Sequence, residues 1–335
     1  MTPTCGAVPA GRKLRDAFGR ELHYLRLSVT DRCNFRCVYC LPQGCPSRQA
    51  GTPLSREEIG RLVRALAGLG FWKVRLTGGE PTLRADVCEV VREIAATPGI
   101  RRVGLTTNGY RLAAIAGELR EAGLTTINVS VDSLDPERFY RITGTRLLDR
   151  VVAGIEAALS AGIAVKVNAV LLQGMDDAEL GRFLAWTRTE PLTVRFIELM
   201  ETGDNGALFR QARLPASEIR EKLERLGWTR LPRDAGDGPA VNYGHPAHAG
   251  KAGLISAYSG GFCDSCNRLR VTSAGDLKLC LFGNQMVPLR PLLQTDAGEA
   301  ALMDRIESAV TAKPRAHELA VGRCGPTANL AMTGG

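Results

Sequence analysis

The sequence LRLSVTDRCNFRCVYC, residues 25–40, places a strand-like run directly before three cysteines. The run 25–30 alternates apolar and polar side chains, which is typical of a half-buried strand. Cys33, Cys37 and Cys40 follow within eight residues, so one short loop can bring three thiolates to a single inorganic centre. The stretch therefore predicts a strand that ends in a loop of metal ligands.

The number of thiolates in this loop favours an iron–sulfur cluster with one exchangeable iron. Structural zinc sites are usually closed by four protein ligands, whereas iron–sulfur clusters are held by thiolates. A zinc site that takes a distant fourth ligand remains an alternative. Disulfides are disfavoured, because an odd trio this close cannot pair within itself.

The composition is that of a globular protein. The 335 residues are 44% hydrophobic and 23% charged, and the net charge of +8 suits either an anionic substrate or a nucleic acid. Aromatic residues make up 5%, which argues against a stacking groove for single-stranded nucleic acid. Because no apolar run reaches the roughly 18 residues of a membrane span and no secretory signal is present, we expect a cytoplasmic protein.

Short β-branched runs recur along the chain, and a helical pattern follows each of them. This alternation predicts parallel βα units. Ser55-Arg-Glu-Glu58 has the form of a capping box and predicts a helix that ends before Gly70. The six predicted strands span residues 25–30, 72–77, 101–107, 126–132, 164–172 and 193–200.

The inner face of the predicted barrel is polar. Asn128, Ser130 and Asp132 share one face of the run 126–132, opposite isoleucine and valine. A closed eight-stranded barrel fills its interior with branched apolar side chains, so this pattern indicates a more open, six-unit barrel that encloses a cavity. The pattern of the run 193–200 does not orient that strand.

The carboxyl ends of the strands carry further motifs, and in parallel βα barrels the reactive site lies at these ends. Each motif alone could be a tight turn or an exposed side chain. Together they surround one opening, which favours a functional site. Besides the cysteine loop, the motifs are Gly78-Gly-Glu-Pro81, Thr106-Thr-Asn-Gly109, Ser130-Val-Asp132, Lys166-Val-Asn168 and Met200.

A second cysteine trio consists of Cys263, Cys266 and Cys280. A zinc ribbon with His245 or His248 as fourth ligand is the main alternative to a cluster, although we expect the stretch around these histidines, residues 234–250, to be a surface loop. The following Asn267-Arg-Leu-Arg270 places two guanidinium groups beside the thiolates. Such groups suit phosphate recognition and are not required by a zinc ribbon.

The string Cys33-Asn-Phe-Arg-Cys37-Val-Tyr-Cys40 resembles the signature of the radical S-adenosylmethionine (SAM) superfamily. The resemblance implies that an open iron binds SAM and that an electron from the cluster cleaves it to a 5′-deoxyadenosyl radical. Over residues 15–335 the chain also resembles the GTP 3′,8-cyclase family of molybdenum cofactor biosynthesis. The motifs that carry this resemblance are LRLSVTDRCNFRCVYC, RLTGGEP, GLTTNG, INVSVDSLDPERF, VKVNAV, RFIELM, GFCDSCNRLRVTSAGDLKLCLF and the terminal Gly334-Gly335.

The family resemblance implies a six-unit parallel β/α barrel in residues 21–230, after an N-terminal segment 1–20, and a smaller cluster domain in residues 231–335. It implies two 4Fe-4S clusters and no side chain that acts as acid or base. The ligands would be Cys33, Cys37 and Cys40 for the SAM cluster and Cys263, Cys266 and Cys280 for the substrate cluster. The other site residues would be Tyr39, Gly79, Ser130 and Met200 for SAM; Arg26, Arg75, Thr106, Lys166, Arg268, Leu269 and Arg270 for GTP; and Gly334 and Gly335 as a mobile tail.

The implied reaction is a lyase-class cyclisation: hydrogen is removed from the ribose 3′ carbon of GTP, and that carbon bonds to guanine carbon-8. The implied partners are an electron donor and, downstream, the cyclic pyranopterin monophosphate synthase. We expect neither nucleic acid nor a membrane as a partner, and the resemblance does not decide whether the protein forms a homodimer. The chain departs from the family at Met332-Thr333, where an isoleucine usually precedes the two glycines. No role is assigned to the remaining cysteines, Cys5, Cys45, Cys88 and Cys324.

Two other functions compete with this interpretation. One is a radical SAM peptide maturase with a similar C-terminal half, although such enzymes often carry an additional N-terminal peptide-binding domain. The other is a basic nucleic-acid-binding protein with two zinc sites, which would bind RNA or DNA with a steep salt dependence.

Overall fold

The computed structural model describes residues 12–44, 51–234 and 236–331. Within these ranges twelve strands form one sheet. The strands are β1 (Tyr24–Ser28), β2 (Lys73–Thr77), β3 (Arg102–Thr107), β4 (Thr126–Ser130), β5 (Ala164–Leu171), β6 (Thr193–Glu198), β7 (Thr229–Arg230), β8 (Val241–Gly244), β9 (Lys251–Ile255), β10 (Arg268–Val271), β11 (Asp276–Lys278) and β12 (Met286–Pro288).

The helices cover the outer face of this sheet, and most follow a strand of the first half. Glu58 N donates to Ser55 Oγ at 3.2 Å and Ser55 N to Glu58 Oε2 at 2.8 Å, so the predicted capping box is confirmed. The helices are α1 (Arg56–Gly68), α2 (Val87–Ala96), α3 (Leu112–Glu121), α4 (Pro136–Thr143), α5 (Leu148–Ser160), α6 (Asp177–Thr189), α7 (Gly206–Ala212), α8 (Ala216–Arg225) and α9 (Glu299–Val310).

Strands β1 to β6 are parallel neighbours in chain order, which confirms the six predicted βα units. The later strands extend both edges: β10 pairs in parallel with β1, and β9 pairs in parallel with β6. The expectation that residues 234–250 form a surface loop is wrong, because β8 lies within them and pairs with β9.

The strands present their apolar side chains to the helices and their polar side chains inward. On β1, Leu25 and Leu27 are fully buried, whereas Arg26 between them lines the cavity. The structure also orients β6: Phe196 packs edge-on against Phe183 of α6, with ring centroids 5.8 Å apart, and Arg195 faces the cavity. The predicted polar interior is confirmed.

In the part of the chain that the structure describes, no helix is both long enough and apolar enough to span a lipid bilayer.

Candidate active site

One cavity extends from the first cysteine trio to the second. It includes the carboxyl ends of β1 to β6, where the strand-end motifs lie. Of the predicted ligand-contacting residues within the described ranges, Leu269 alone does not line it: its side chain is fully buried. The predicted tail residues Gly334 and Gly335, the departure at Met332-Thr333, and the unassigned Cys5 and Cys45 lie outside the described residues.

The Gly-Gly-Glu-Pro turn after β2 supports the first cysteine loop through its backbone. Gly79 N donates to Thr30 O at 2.8 Å, and Glu80 N donates to Arg32 O at 2.7 Å. A Cβ atom on Gly79 would lie 2.1 Å from Arg32 O, closer than any real contact. Glycine at this position therefore lets the turn approach the cysteine loop closely.

Glu80 links this turn to the motif that follows β3. Its carboxylate accepts from Thr107 Oγ1 at 2.7 Å and from Asn108 N at 2.6 Å. Asn108 Nδ2 in turn donates to Asn34 Oδ1 in the cysteine loop at 2.8 Å. Burial raises the pKa of Glu80, although these hydrogen bonds oppose the rise. The network is structural, and the sequence motif alone did not show which residues it joins.

Tyr39, between the last two cysteines of the first trio, is fixed to the opposite side of the barrel. Its hydroxyl donates to Asp132 Oδ2 at 2.8 Å, while Asp132 Oδ1 accepts from Val170 N at 2.8 Å. Asn205 Nδ2 donates to Tyr39 O at 3.2 Å and to Met200 O at 3.0 Å. Asn205 was not predicted, because it lies outside every strand-end motif.

The second trio is held between β10, β11 and the segment after α9. Lys313 Nζ donates to Leu279 O and, at 3.2 Å, to Arg268 O. Burial acts to raise the pKa of Cys266, but the charges of Arg268 and Lys313 outweigh it and lower that pKa to about 7. The thiolate form that metal binding needs is therefore favoured at Cys266.

The thiols of the first trio have a different electrostatic environment. Burial, together with the neighbouring thiol of Cys33, raises the pKa of Cys40 to about 12. Burial and the charge of Asp132 raise the pKa of Cys37 well above its usual value. These thiols need a strongly positive partner to ionise, and a bound metal provides one.

Positive charge dominates the cavity. Among the described residues that line it, eight are lysine or arginine and two are carboxylates. Burial, followed by the charges of Arg195 and Arg75, lowers the pKa of Lys166 to about 7. Burial lowers the pKa of Arg195 to about 10. The eight residues are Arg26, Lys73, Arg75, Lys166, Arg195, Arg268, Arg270 and Lys313.

Three of these cations were not predicted. Lys73 stands at the first position of β2, away from the strand end, and Arg195 belongs to the strand that the sequence pattern could not orient. Lys313 follows α9 and reaches the second trio only through the fold. In the sequence, Lys313 is only a single lysine just after a helix, and such a position is a weak indication of a site residue.

Several polar atoms in the cavity have no hydrogen-bond partner within the described residues. Thr106 Oγ1, Asn128 Oδ1, Asn168 Oδ1 and Arg195 Nε are buried and unsatisfied. Leaving a buried polar group unpaired costs about 1–3 kcal/mol. Their presence along one cavity indicates a polar ligand that supplies both donors and acceptors.

The structure disfavours the zinc alternatives. His245 and His248 pack against Trp228 and against each other, with the two imidazole centroids 4.9 Å apart, and neither lines the cavity. No three His, Cys, Asp or Glu side chains within 12–44, 51–234 and 236–331 are placed to hold a single metal ion. The cysteines described are all free of disulfides. An iron–sulfur cluster is held by thiolates, and each thiol trio lines the shared cavity.

Comparison with known protein families agrees with a cysteine loop at the end of a parallel barrel. Residues 27–187 match the family model described as the radical SAM superfamily, and residues 192–319 match the model described as Molybdenum Cofactor Synthesis C. These matches define the class of protein as radical SAM, with a C-terminal region typical of molybdenum cofactor synthesis.

Relatives narrow this class. The chain is 51% identical over 96% of its length to the GTP 3′,8-cyclase of Aeromonas hydrophila, covering 96% of that protein. It is 50% identical over 96% of its length to the GTP 3′,8-cyclase of Cronobacter sakazakii, covering 99% of that protein. The chain belongs to the GTP 3′,8-cyclase family.

Solved structures share the fold. Streptococcus suis SuiB bound to S-adenosylmethionine superposes with a TM-score of 0.65 at 14% identity, covering 87% of this chain and 68% of that chain. SuiB bound to precursor peptide SuiA gives a TM-score of 0.59 at 14% identity, covering 88% and 68%. At this identity the likeness extends to the fold alone.

Proposed function

We propose that this chain converts GTP to (8S)-3′,8-cyclo-7,8-dihydroguanosine 5′-triphosphate, the first step of molybdenum cofactor biosynthesis. It is an enzyme of the radical SAM class, and SAM and an iron–sulfur cluster are its cofactors. The observation that carries the proposal is a single cavity that joins two thiol trios and eight cationic side chains among the described residues.

The first trio fits a cluster with one open iron. Cys33, Cys37 and Cys40 offer three thiols to the cavity, and the loop that holds them is braced by backbone contacts to Gly79. When bound there, a 4Fe-4S cluster and SAM together supply the carbon radical that removes hydrogen from the ribose. We assign Tyr39, Gly79, Ser130 and Met200 to SAM, because all four line the cavity at the end that carries this trio.

We assign a second 4Fe-4S cluster to Cys263, Cys266 and Cys280, which would hold it through three thiolates and leave one iron able to bind the guanine base. The donor set again offers three thiols to the shared cavity, and Arg268 and Lys313 supply positive charge to it. Three ligands leave one coordination position for the substrate.

The cationic lining fits the triphosphate of GTP. Arg26 and Arg270 occupy paired positions on β1 and β10, and Arg26 and Arg75 occupy paired positions on β1 and β2, so guanidinium groups from three neighbouring strands converge. Arginine and lysine bind phosphate through charge-assisted hydrogen bonds. We assign Arg26, Arg75, Thr106, Lys166, Arg268 and Arg270 to GTP, with Lys73 and Arg195 as additional cations. Leu269 could contribute only through its backbone, because its side chain is fully buried and does not line the cavity.

Positioning is the main contribution of these residues, since the reaction needs no acid or base from the protein. A reactive radical must meet one ribose carbon, and fixed contacts at both ends of GTP hold that carbon in place. Leu330 and Ala331 line the cavity, and the backbone of each forms a hydrogen bond with the thiol of Cys40. The tail residues Gly334 and Gly335 follow within four positions, which supports their proposed entry into the site.

The test is anaerobic reconstitution with iron and sulfide, followed by SAM, a reductant and GTP. We expect 5′-deoxyadenosine and a cyclised guanosine triphosphate in equal amounts. Release of 5′-deoxyadenosine without consumption of GTP would contradict the substrate while leaving the superfamily intact. Zinc without sulfide in the purified protein would contradict both.

A radical SAM enzyme that modifies a peptide is the second candidate, since SuiB, which has a similar fold, was solved bound to a precursor peptide. The eight cations lining the cavity favour a phosphate-bearing substrate over a peptide. The domain limits 21–230 and 231–335, the electron donor, the downstream cyclic pyranopterin monophosphate synthase and a homodimer remain predictions.

A further inference from the structure

Tyr24 is a buried tyrosine at the cationic part of the cavity, and none of the roles proposed above uses it. It is 4% exposed and contributes to the cavity lining. Arg75 Nε donates to Tyr24 Oη at 2.9 Å, and Lys73 Nζ lies 4.3 Å from the centroid of the phenol ring. Two cations of the neighbouring strand therefore contact this side chain directly.

Positive groups face Tyr24 from five of the strands that line the cavity. Carboxylates do not balance them there. Asp132 is bonded to Tyr39 and to Val170 N, Glu198 is paired with Arg213, and Asp237 acts on Arg195. The cations are Arg26 of β1, Lys73 and Arg75 of β2, Lys166 of β5, Arg195 of β6, and Arg268 and Arg270 of β10.

Burial on its own would keep the phenol neutral, since a charged oxygen loses its hydration. The surrounding charges of Arg75, Arg26 and Lys73 outweigh burial and lower the pKa of Tyr24 to about 6. In turn, the negative charge of the Tyr24 phenolate acts to raise the pKa values of Lys166 and Arg195. The phenol and the cations thus stabilise one another's charged forms.

We propose that Tyr24 is a positioning residue whose phenolate balances the cations of the phosphate site before nucleotide binds, and that it takes up one proton when the substrate triphosphate takes over this role. The proton comes from solvent, and no bond other than O–H is formed. In both states Arg75 Nε donates to the phenol oxygen, while its other two guanidinium nitrogens donate to Leu105 O at 2.7 Å and Thr126 Oγ1 at 2.8 Å, so the guanidinium stays fixed at the cavity wall. This inference rests on the proposed function, because it assumes that a triphosphate enters this cavity.

The experiment uses anaerobically reconstituted enzyme in tandem cuvettes at about pH 8. Before mixing, the wild type minus Tyr24→Phe difference spectrum is expected to show one tyrosinate in the near ultraviolet. After mixing with GTP, the wild type is expected to lose this band, and so is a Tyr140→Phe control, in which the 41% exposed Tyr140 is replaced. Absence of the tyrosinate before mixing, or its persistence with saturating GTP, would overturn the inference.

Inorganic tripolyphosphate separates this inference from the proposed function. If GTP does not bind, the proposed function fails, and tripolyphosphate still decides the role of Tyr24: loss of the band supports the exchange and retention overturns it. If Tyr24→Phe does not fold, as judged by its iron content, a spectroscopic pH titration of the wild type replaces the comparison with this variant. One tyrosine that ionises several pH units below the others supports the inference, and joint ionisation near about pH 10 contradicts it.

Discussion

The ammonium group of Lys166 illustrates how a single residue responds to its surroundings. Its pKa of about 7 reflects burial first and then the charges of Arg195 and Arg75. A bound triphosphate would raise this pKa, so binding draws a proton from solvent at pH values above about 7. We expect the affinity for GTP to fall as the pH rises from about 7 to about 9.

Calorimetric Kd values across this range would measure the effect. Lys166→Arg keeps its charge over the whole range, so its Kd is expected to change less with pH. Identical pH dependence in the wild type and in Lys166→Arg would show that Lys166 does not titrate at the phosphate site.

Cys280 tests the assignment of two clusters. Cys280→Ala should lose about half of the iron and sulfide, because only one of two three-thiolate sites is damaged. It should still cleave SAM, since the first trio is intact, but it should consume little GTP. Cys324→Ala is the matched control, because Cys324 is half-buried and does not line the cavity. Undiminished iron in Cys280→Ala would argue against a second cluster at this trio.

At the scale of elements, the turn after β2 and the cysteine loop fit together because Gly78 and Gly79 lack side chains. In Gly79→Ala the new Cβ would meet backbone atoms of Arg32, which cannot move aside without shifting the loop. We expect a lower iron content and a SAM affinity at least about tenfold weaker, which corresponds to a loss of ~1.4 kcal/mol in binding free energy.

Gly117→Ala on α3 provides the control for this substitution. Nothing lies within 4 Å of the added Cβ, and the residue is exposed. Alanine in a helix is expected to stabilise the fold by about 0.5–1 kcal/mol, with unchanged SAM binding. Equal iron content and SAM affinity in the two variants would contradict a role for the close approach.

Arg20 joins three elements near the second trio. Its side chain is 8% exposed and pairs with the fully buried Asp16 at 2.6 Å. It also donates to Cys263 O at 3.0 Å, Arg315 O at 2.6 Å and Pro314 O at 2.7 Å. Removing one partner of a buried ion pair typically costs about 3–5 kcal/mol.

Arg20→Gln should therefore lower the free energy of unfolding by several kcal/mol and release iron from the second trio before the first. Denaturant unfolding followed with iron analysis would measure both. A matched Arg12→Gln change affects an exposed ion pair with Glu307 and should cost at most about 1 kcal/mol. A similar decrease in the free energy of unfolding in both variants would contradict a special role of Arg20.

At the scale of the whole molecule, local signals predicted more than long-range ones. The six parallel strands and the capping box at Ser55 follow from short-range periodicity, and the structure confirms them. The orientation of β6 and the strand within 234–250 depend on partners far along the chain, such as Phe183 and β9, which no local pattern contains. The motifs identified most of the cavity lining, whereas Lys73, Arg195 and Lys313 required the fold.

The pairing of β1 with β10 has a consequence for biosynthesis. His23 and Asn267, at the start of these strands, contact each other although they are 244 positions apart in the chain. While the protein is being made, β1 can pair with β2 early, but its other edge stays open until β10 leaves the ribosome. An open edge invites incorrect pairing. The second thiol trio flanks β10 and β11 and is made in the same interval, so the first cysteine loop is complete long before the second trio exists.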